Sequence, residues 1–364
     1  MNAVLLFPVP QEAESVSNEG RVSVIIPARN EEANIETAVR SVTAQQDVRE
    51  IIVVDDQSTD RTPQILEGLK AEIPALEVVH IKTLPAGWMG KNHALATAAK
   101  LATGEWLLLT DADTQHFSGS LEVLLDRAER EHVDMLSISP RQEMRSAWEK
   151  ALIPMVYIWL SGQYRFEDVS DPRSPAAAAN GQYILVRRGI YERVGGHAAI
   201  RDAVLEDVRL AQHVKSAGGR LLFLPGAAWV QTRMYRSLGE MWLGWTKNLY
   251  LLSGRNLRRL LTTVAELGFL DLLPLLAFFG FILLGGLGGQ SVRCLLGALG
   301  SAVIVAVRHA AYARRLRALG FDRGLSKYRS LGALLFSLLL LNSARVYRHR
   351  RTVEWKGRIY SIDD

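Results

Sequence analysis

The sequence predicts an α/β protein: a mostly parallel sheet with helices on both faces, followed by apolar helices that lie in or across a membrane. Three observations carry this expectation. From Arg21 to about Pro140, short and nearly continuous apolar runs alternate with helical stretches, the pattern of parallel strands covered on both faces. Leu267 to Gly289 is then apolar over a length that spans a bilayer. Basic residues, among them Arg258, Arg259, Arg314 and Arg315, crowd around the apolar stretches of the last third. That placement suits an anionic membrane surface better than nucleic acid.

Taken in order, Val22 to Pro27 reads as the first strand, Glu31 to Ala44 as a helix capped by Asn30, and Glu50 to Asp55 as the second strand. The next helix has Asp60 or Thr62 as its cap and Pro63 in its first turn. Leu76 to Ile81 is a strand, Asn92 to Ala102 a helix, Glu105 to Thr110 a strand, Ser118 to Arg130 a helix and Val133 to Ser139 a fifth strand. Ala147 to Tyr164, with Trp148, Tyr157 and Trp159, fits a core helix and an interfacial one equally well. A Pro/Ala-rich loop over Asp171 to Asn180 precedes a strand at Gln182 to Val186 and a short helix. A helix from near Leu205 to Ala217 and a Trp- and Leu-rich helix from Tyr235 to Ser253 follow. Leu267 to Gly289 is the first spanning candidate, with Asp271 near its start where a charge reaches the headgroups. Ser291 to Val307 is the second, and Gly332 to Asn342 is a short third that is either a span or an interfacial segment.

The 364 residues thus divide into a tail (1–20), a sheet domain (21–253), a membrane domain (254–350) and a second tail (351–364). The net charge of +5 is modest, and a lone cysteine, Cys294, excludes an internal disulfide framework or a thiolate metal cluster. Met1 to Pro10 has an apolar run too short for a signal peptide and no basic start, so the sheet domain is expected in the cytoplasm. The positive-inside rule agrees, placing the turn between the first two apolar segments outside.

Candidate chemistry gathers where strands end, the edge at which open α/β sheets bind ligands. Asp111-Ala112-Asp113 closes the fourth strand, with two carboxylates on one side of an extended backbone and room for a hard cation. A solvated turn accounts for that triplet equally well on its own. Asp55 and Asp56 close the second strand, where carboxylates accept from a ribose or a base edge. Pro27-Ala28-Arg29-Asn30-Glu31 closes the first, and Arg29 there can meet a phosphate. Gly87-Trp88-Met89-Gly90-Lys91 opens a helix whose N–H groups, with Lys91, suit a pyrophosphate, although it is no Walker loop. Glu206-Asp207 begins another helix, where acids complement the dipole or serve as a general base.

These segments, in this order, resemble a family 2 glycosyltransferase of the GT-A fold over about Val22 to Leu252. Gly87 to Lys91, Asn180-Gly181-Gln182-Tyr183 and Val353-Glu354-Trp355-Lys356-Gly357-Arg358 resemble the membrane-bound branch that includes ceramide glucosyltransferases and hopanoid- and carotenoid-associated enzymes. The resemblance implies inverting transfer of a sugar from a UDP- or GDP-sugar to a membrane lipid at the cytoplasmic face. It implies that Pro27, Arg29, Glu31, Asp55, Asp56, Lys91, Asp111 and Trp245 bind the donor. Asp111 and Asp113 would hold Mg²⁺ or Mn²⁺, and Asp207, with Glu206 beside it, would be the base. One departure stands out: the Gln-x-x-Arg-Trp of processive and ceramide-type relatives is replaced by Met241-Trp242-Leu243-Gly244-Trp245, leaving Lys247 or Arg236 as substitute cations. A polyprenyl-phosphate or polysaccharide-assembly glycosyltransferase is the alternative, and a membrane nucleotidyltransferase a more distant one.

Overall fold

The computed structural model describes residues 20–286, 291–350 and 352–361, so the expected N-terminal tail lies almost wholly outside the described residues. Eight strands form one sheet: β1 (Val22–Ala28), β2 (Val48–Asp55), β3 (Leu76–His80), β4 (Trp106–Leu109), β5 (Thr114–His116), β6 (Met135–Gln142), β7 (Ile184–Arg187) and β8 (Leu221–Thr232). Their order is β3-β2-β1-β4-β7-β6-β8-β5. β1 runs parallel to both β2 and β4. β7 is antiparallel to β4 and β6, and β5 is antiparallel to β8.

Burial on both faces explains the continuous apolar strands. Val24, Ile26, Val53 and Leu108 pack with one set of helices, including Ile35–Thr43 and Ser120–Arg130. Ile25, Ile52, Val54 and Leu107 pack on the other face with Gly90–Ala99 and Glu206–Ser216. The chain builds outward from β1 through β2 to β3 and then returns to place β4 on the other side of β1. That reversal opens a crevice at the carboxyl ends of β1, β2 and β4.

A third apolar core lies beside the sheet and includes Leu152, Val156, Trp245, Leu249, Phe336 and Leu340. Ala147–Ser161 therefore serves as a core helix. It packs closely on the helix Arg329–Arg345, because Gly332 faces the Ala151 carbonyl where a Cβ would collide with it.

Among the described residues, three helices are long and apolar enough to cross a membrane: Leu257–Gly286, Val292–Ala318 and Arg323–Arg350. Large apolar side chains stay exposed along the first two, among them Phe269, Leu276, Phe279, Leu296 and Val303. The third differs, with 56% of its most apolar window buried within the protein against 17% and 11% for the others.

Several local expectations are corrected. Asn30 does not cap the first helix, which begins at Ile35 after Asn34. Asn30 instead adopts φ 53° and accepts a hydrogen bond from the Thr59 N–H at 2.8 Å, tying together the loops after β1 and β2. Asp271 does not reach the headgroups. It is buried against Arg308 (3.0 Å) and Arg329 (2.6 Å), because all three apolar helices converge there. Residues 352–361 carry a hairpin of β9 (Thr352–Trp355) and β10 (Arg358–Ser361) where only a tail was expected.

Glu149 welds the third core to the sheet. Its side chain is fully buried, closes a capping box with Ser146 and accepts from Arg233, just beyond β8, at 3.0 Å. Burial pushes the carboxyl up, but Arg233 and Ser146 outweigh it and hold it at about 2. Glu149→Ala strands Arg233 and is expected to cost about 3 kcal/mol, read as a lower unfolding midpoint in detergent. Because the folded pKa is depressed, this contribution is complete above the ordinary value of 4.5 and is lost as pH falls through about 2.

Candidate active site

The turn after β4 is closed by Thr114, whose hydroxyl donates to the Asp111 carbonyl at 2.7 Å. It is anchored from below by Thr110, which donates to the Gln182 carbonyl at 2.8 Å. Asp111 and Asp113 are thereby held on a rigid turn with Ala112 buried between them.

Lys91 occupies the centre of the acidic cluster. Its Nζ lies 2.6 Å from Asp111 Oδ1 and 2.7 Å from Glu206 Oε1. Burial works against the ammonium, but the two carboxylates outweigh it and raise its pKa. Asn92, fully buried one residue on, donates to the carbonyls of Ile200, Arg201 and Ala203. It thus holds the loop that leads into Glu206 and Asp207.

Asp207 accepts from the Gly181 N–H at 3.0 Å. Burial, then the neighbouring Glu206, pushes its carboxyl up to about 6. Burial raises Glu206 as well, but Lys91 and Lys247 outweigh that and hold it below the ordinary carboxylate range. Burial, then Asp111 and Glu31, pushes Asp113 up to about 7. Asp113 Oδ1 is buried with no hydrogen-bond partner among the described residues.

A single cavity of roughly 1700 Å³ is lined by Pro27, Arg29, Glu31, Asp56, Lys91, Asp111, Asp113, Glu206, Asp207 and Trp245. These are all the residues expected at the site except Asp55. Asp55 sits behind the cavity wall, where it accepts from the Ser58 N–H at 3.1 Å and pairs with His80 at 3.1 Å. Arg29 spends its guanidinium on backbone, donating to the carbonyls of Asp56 (2.6 Å), Gln57 (2.9 Å) and Lys356 (3.1 Å). Arg236 donates to the Ala33 carbonyl (3.0 Å) and to Asn34 (2.5 Å). Lys247, by contrast, lines the cavity and lies 4.5 Å from the centroid of the Trp355 ring.

Sequence reasoning missed Asn92, Tyr157, Lys356 and Arg358 as site residues. Tyr157 lines the cavity near Asp113 and Asp207 while its ring meets Phe321 edge-on at 6.0 Å. The hairpin left one weak signal, a Lys-Gly pair between two alternating runs. Asn92 left none.

Residues 23–195 match the sequence model of Glycosyl transferase family 2. The chain carries a glycosyl transferase family 2 domain. It is 26% identical over 351 residues to the 4,4'-diaponeurosporenoate glycosyltransferase of Staphylococcus aureus (strain USA300), covering 95% of this chain and 89% of that relative. The Staphylococcus haemolyticus protein of the same name is 26% identical over 249 residues, which are 68% of this chain and 64% of that protein. Among solved structures, the mannosyltransferase PcManGT from Pyrobaculum calidifontis, in complex with GDP-Man and Mn²⁺, has a TM-score of 0.56 at 20% identity. The match covers 92% of this chain and 88% of that one. The fold is GT-A, and the protein is a glycosyltransferase.

Gly181 tests how finely this glycosyltransferase holds its charge cluster. A Cβ at this position would lie 2.8 Å from Lys91 Nζ and 3.3 Å from Glu206 Oε1. Gly181→Val is expected to push Lys91 aside and slow sugar transfer by about tenfold or more while leaving the unfolding midpoint nearly unchanged, since a mobile side chain tip yields first.

Proposed function

We propose that this glycosyltransferase moves a sugar from a nucleoside diphosphate sugar to a membrane lipid whose long apolar chain ends in a hydroxyl or carboxyl group. The observation that carries the reading is the reach of the cavity. It extends from Asp111, Asp113 and Asp207 to Leu160, Leu319, Phe321 and Leu325, beside the ends of the second and third apolar helices. A water-soluble donor at the sheet edge and an apolar acceptor entering from the membrane side can meet within it. The S. aureus relative is named for diaponeurosporenoate, a carboxylate.

In this reading Asp56 and the loop after β1 hold the nucleoside, and Lys91 and Lys247 place positive charge near the diphosphate. Asp207 accepts the proton of the acceptor hydroxyl as that oxygen bonds to the anomeric carbon. The nucleoside diphosphate leaves from the opposite face with the electron pair of the broken bond, so configuration inverts. A carboxylate acceptor arrives already ionised and leaves Asp207 only an orienting role.

The unpartnered, buried Asp113 oxygen fits a cation site, and an all-oxygen donor set suits a hard ion. Among the described residues no three His, Cys, Asp or Glu side chains group as metal ligands, so such an ion must take most of its ligands from phosphate and water, as Mg²⁺ does. Bound by Asp111 and Asp113, Mg²⁺ or Mn²⁺ would neutralise charge on the departing diphosphate.

The positions of the chain's contacts also bear on topology. Beyond the third apolar helix, Lys356 and Arg358 meet Arg29, Glu31 and Asp56 of the sheet domain. The third helix itself lies on Leu238–Leu252, with Ser343 donating to the Thr246 carbonyl at 2.6 Å and Tyr347 to the Lys247 carbonyl at 2.6 Å. An odd number of crossings would put the hairpin on the wrong side of the bilayer. Two helices therefore cross, the third lies along the cytoplasmic surface, and its exposed basic residues, Arg323 and Lys327 at one end and Arg345 and Arg348 at the other, face anionic lipid.

Asp113→Asn and Asp207→Asn are each expected to fold and to lose transfer to a hydroxylated lipid by about a thousandfold. Retained transfer in the Asp207 variant would remove it as the base. With a hydroxylated acceptor, kcat/KM should climb with pH to a plateau above about 6, because only the ionised Asp207 accepts a proton. Phe321→Arg tests the apolar mouth. Transfer to a long-chain acceptor should fall about tenfold, whereas transfer to a short, water-soluble analogue should hold, and equal loss on both would refute this route.

A further inference from the structure

The C-terminal hairpin is joined to the sheet edge by contacts more than 300 residues apart in sequence. Its two-residue turn, Lys356 and Gly357, has φ of 46° and 74°, the left-handed pair of a tight hairpin loop. Lys356 Nζ donates to the Arg29 carbonyl at 2.9 Å and pairs with Glu31. Arg358 forks onto Asp56, with Nη2 at 2.9 Å from Oδ1. Val353 is buried in the third core, and Trp355 lies over the Lys247 ammonium. Gly90 closes the arrangement, since a Cβ there would meet Asp56 and would lie 2.5 Å from Arg358 Nη1.

Electrostatics give the hairpin a task. The edge where a diphosphate must sit carries Glu31, Asp111, Asp113 and Glu206. Before the hairpin is counted, those carboxylates face Lys91 and Lys247, with Arg29 already committed to backbone carbonyls. Without a divalent cation such a site repels a dianionic donor, and with one the balance is still close. The hairpin brings two more cations, one to the Glu31 and Asp113 side and one to Asp56. The chain also lacks the arginine of Gln-x-x-Arg-Trp, and Lys356 is a cavity-lining cation placed to supplement Lys91, Lys247 and a bound metal ion.

Resting on the donor reading above, we propose that the hairpin is part of the donor site. Lys356 exchanges Glu31 for an oxygen of the nucleoside diphosphate, and Arg358 is a positioning residue that fixes the Asp56 carboxylate for the nucleoside. The hairpin already forms one wall of the cavity, through Trp355, Lys356 and Gly357, so the phosphates need only re-pair Lys356.

The test uses the full chain in detergent and calorimetric binding of UDP, GDP, UMP and GMP with Mn²⁺. Lys356→Gln should weaken the preferred nucleoside diphosphate on the order of tenfold while leaving its monophosphate within about twofold. Lys356→Arg should restore the diphosphate affinity, which a folding defect would not allow. Arg358→Gln should weaken the diphosphate and the monophosphate by the same factor. Wild-type diphosphate affinity in Lys356→Gln, or tighter binding, would overturn the hairpin's role while leaving the donor reading intact. Failure of the wild-type protein to bind either diphosphate would overturn the donor reading and the hairpin's role together.

Discussion

The half-buried ammonium of Lys91 is the contact on which the site depends. It sits between Asp111, from the end of β4, and Glu206, which opens a helix nearly a hundred residues later. Without that cation, Asp111, Glu206 and Asp207 would gather unneutralised charge in a poorly solvated cleft, and one or more would take up a proton or move apart. Raising these groups together makes the lysine harder to deprotonate and leaves Asp207 poised close to neutrality. Asn92 and Gly181 are the supporting parts, one holding the loop before Glu206 and the other leaving space for the ammonium tip.

The sheet explains why such distant residues converge. Because β4 returns to the far side of β1, the ends of β1, β2 and β4 face a common crevice. The antiparallel β7 between β4 and β6 brings Gly181 and Gln182, just before it, under the β4 turn. The third core then lays apolar helices beside the same crevice, so one cavity has an acidic end and an apolar end. The two ends are packing surfaces that share Tyr157.

The parallel half of this fold was legible because its strands are buried on both faces and therefore read as unbroken apolar runs. The carboxylates at their ends were legible for the same reason, since each closes such a run. β5 was too short to register at three residues. β8 was hidden by Pro225 and Gly226, which interrupt its pattern where its pairing with β6 shifts register. Asp55 was grouped with Asp56 because adjacent residues cannot be separated by sequence alone. On a strand end they point to opposite sides, and only Asp56 reaches the cavity. The first helix was begun too early because Asn30 resembles a cap, whereas its left-handed φ turns it toward the next loop. Nothing local in Lys356 or Arg358 could announce partners at Arg29 and Asp56.

Those long-range contacts link the apolar helices to the sheet edge. The hairpin follows directly on the third apolar helix, whose Ser343 and Tyr347 grip Leu238–Leu252, the helix that carries Trp245 and Lys247. The Asp271 cluster joins the other end of that third helix to the first two. A shift of the apolar helices must therefore either break these polar contacts or move the hairpin relative to Asp56. Leaving one partner of the buried Asp271 cluster without its counter-charge is costly, so these helices keep their mutual packing. The third helix consequently acts as a stiff connection between the first two apolar helices and the acidic end of the cavity. The packing of the apolar helices and the seating of Lys356 and Arg358 are two ends of one packed element.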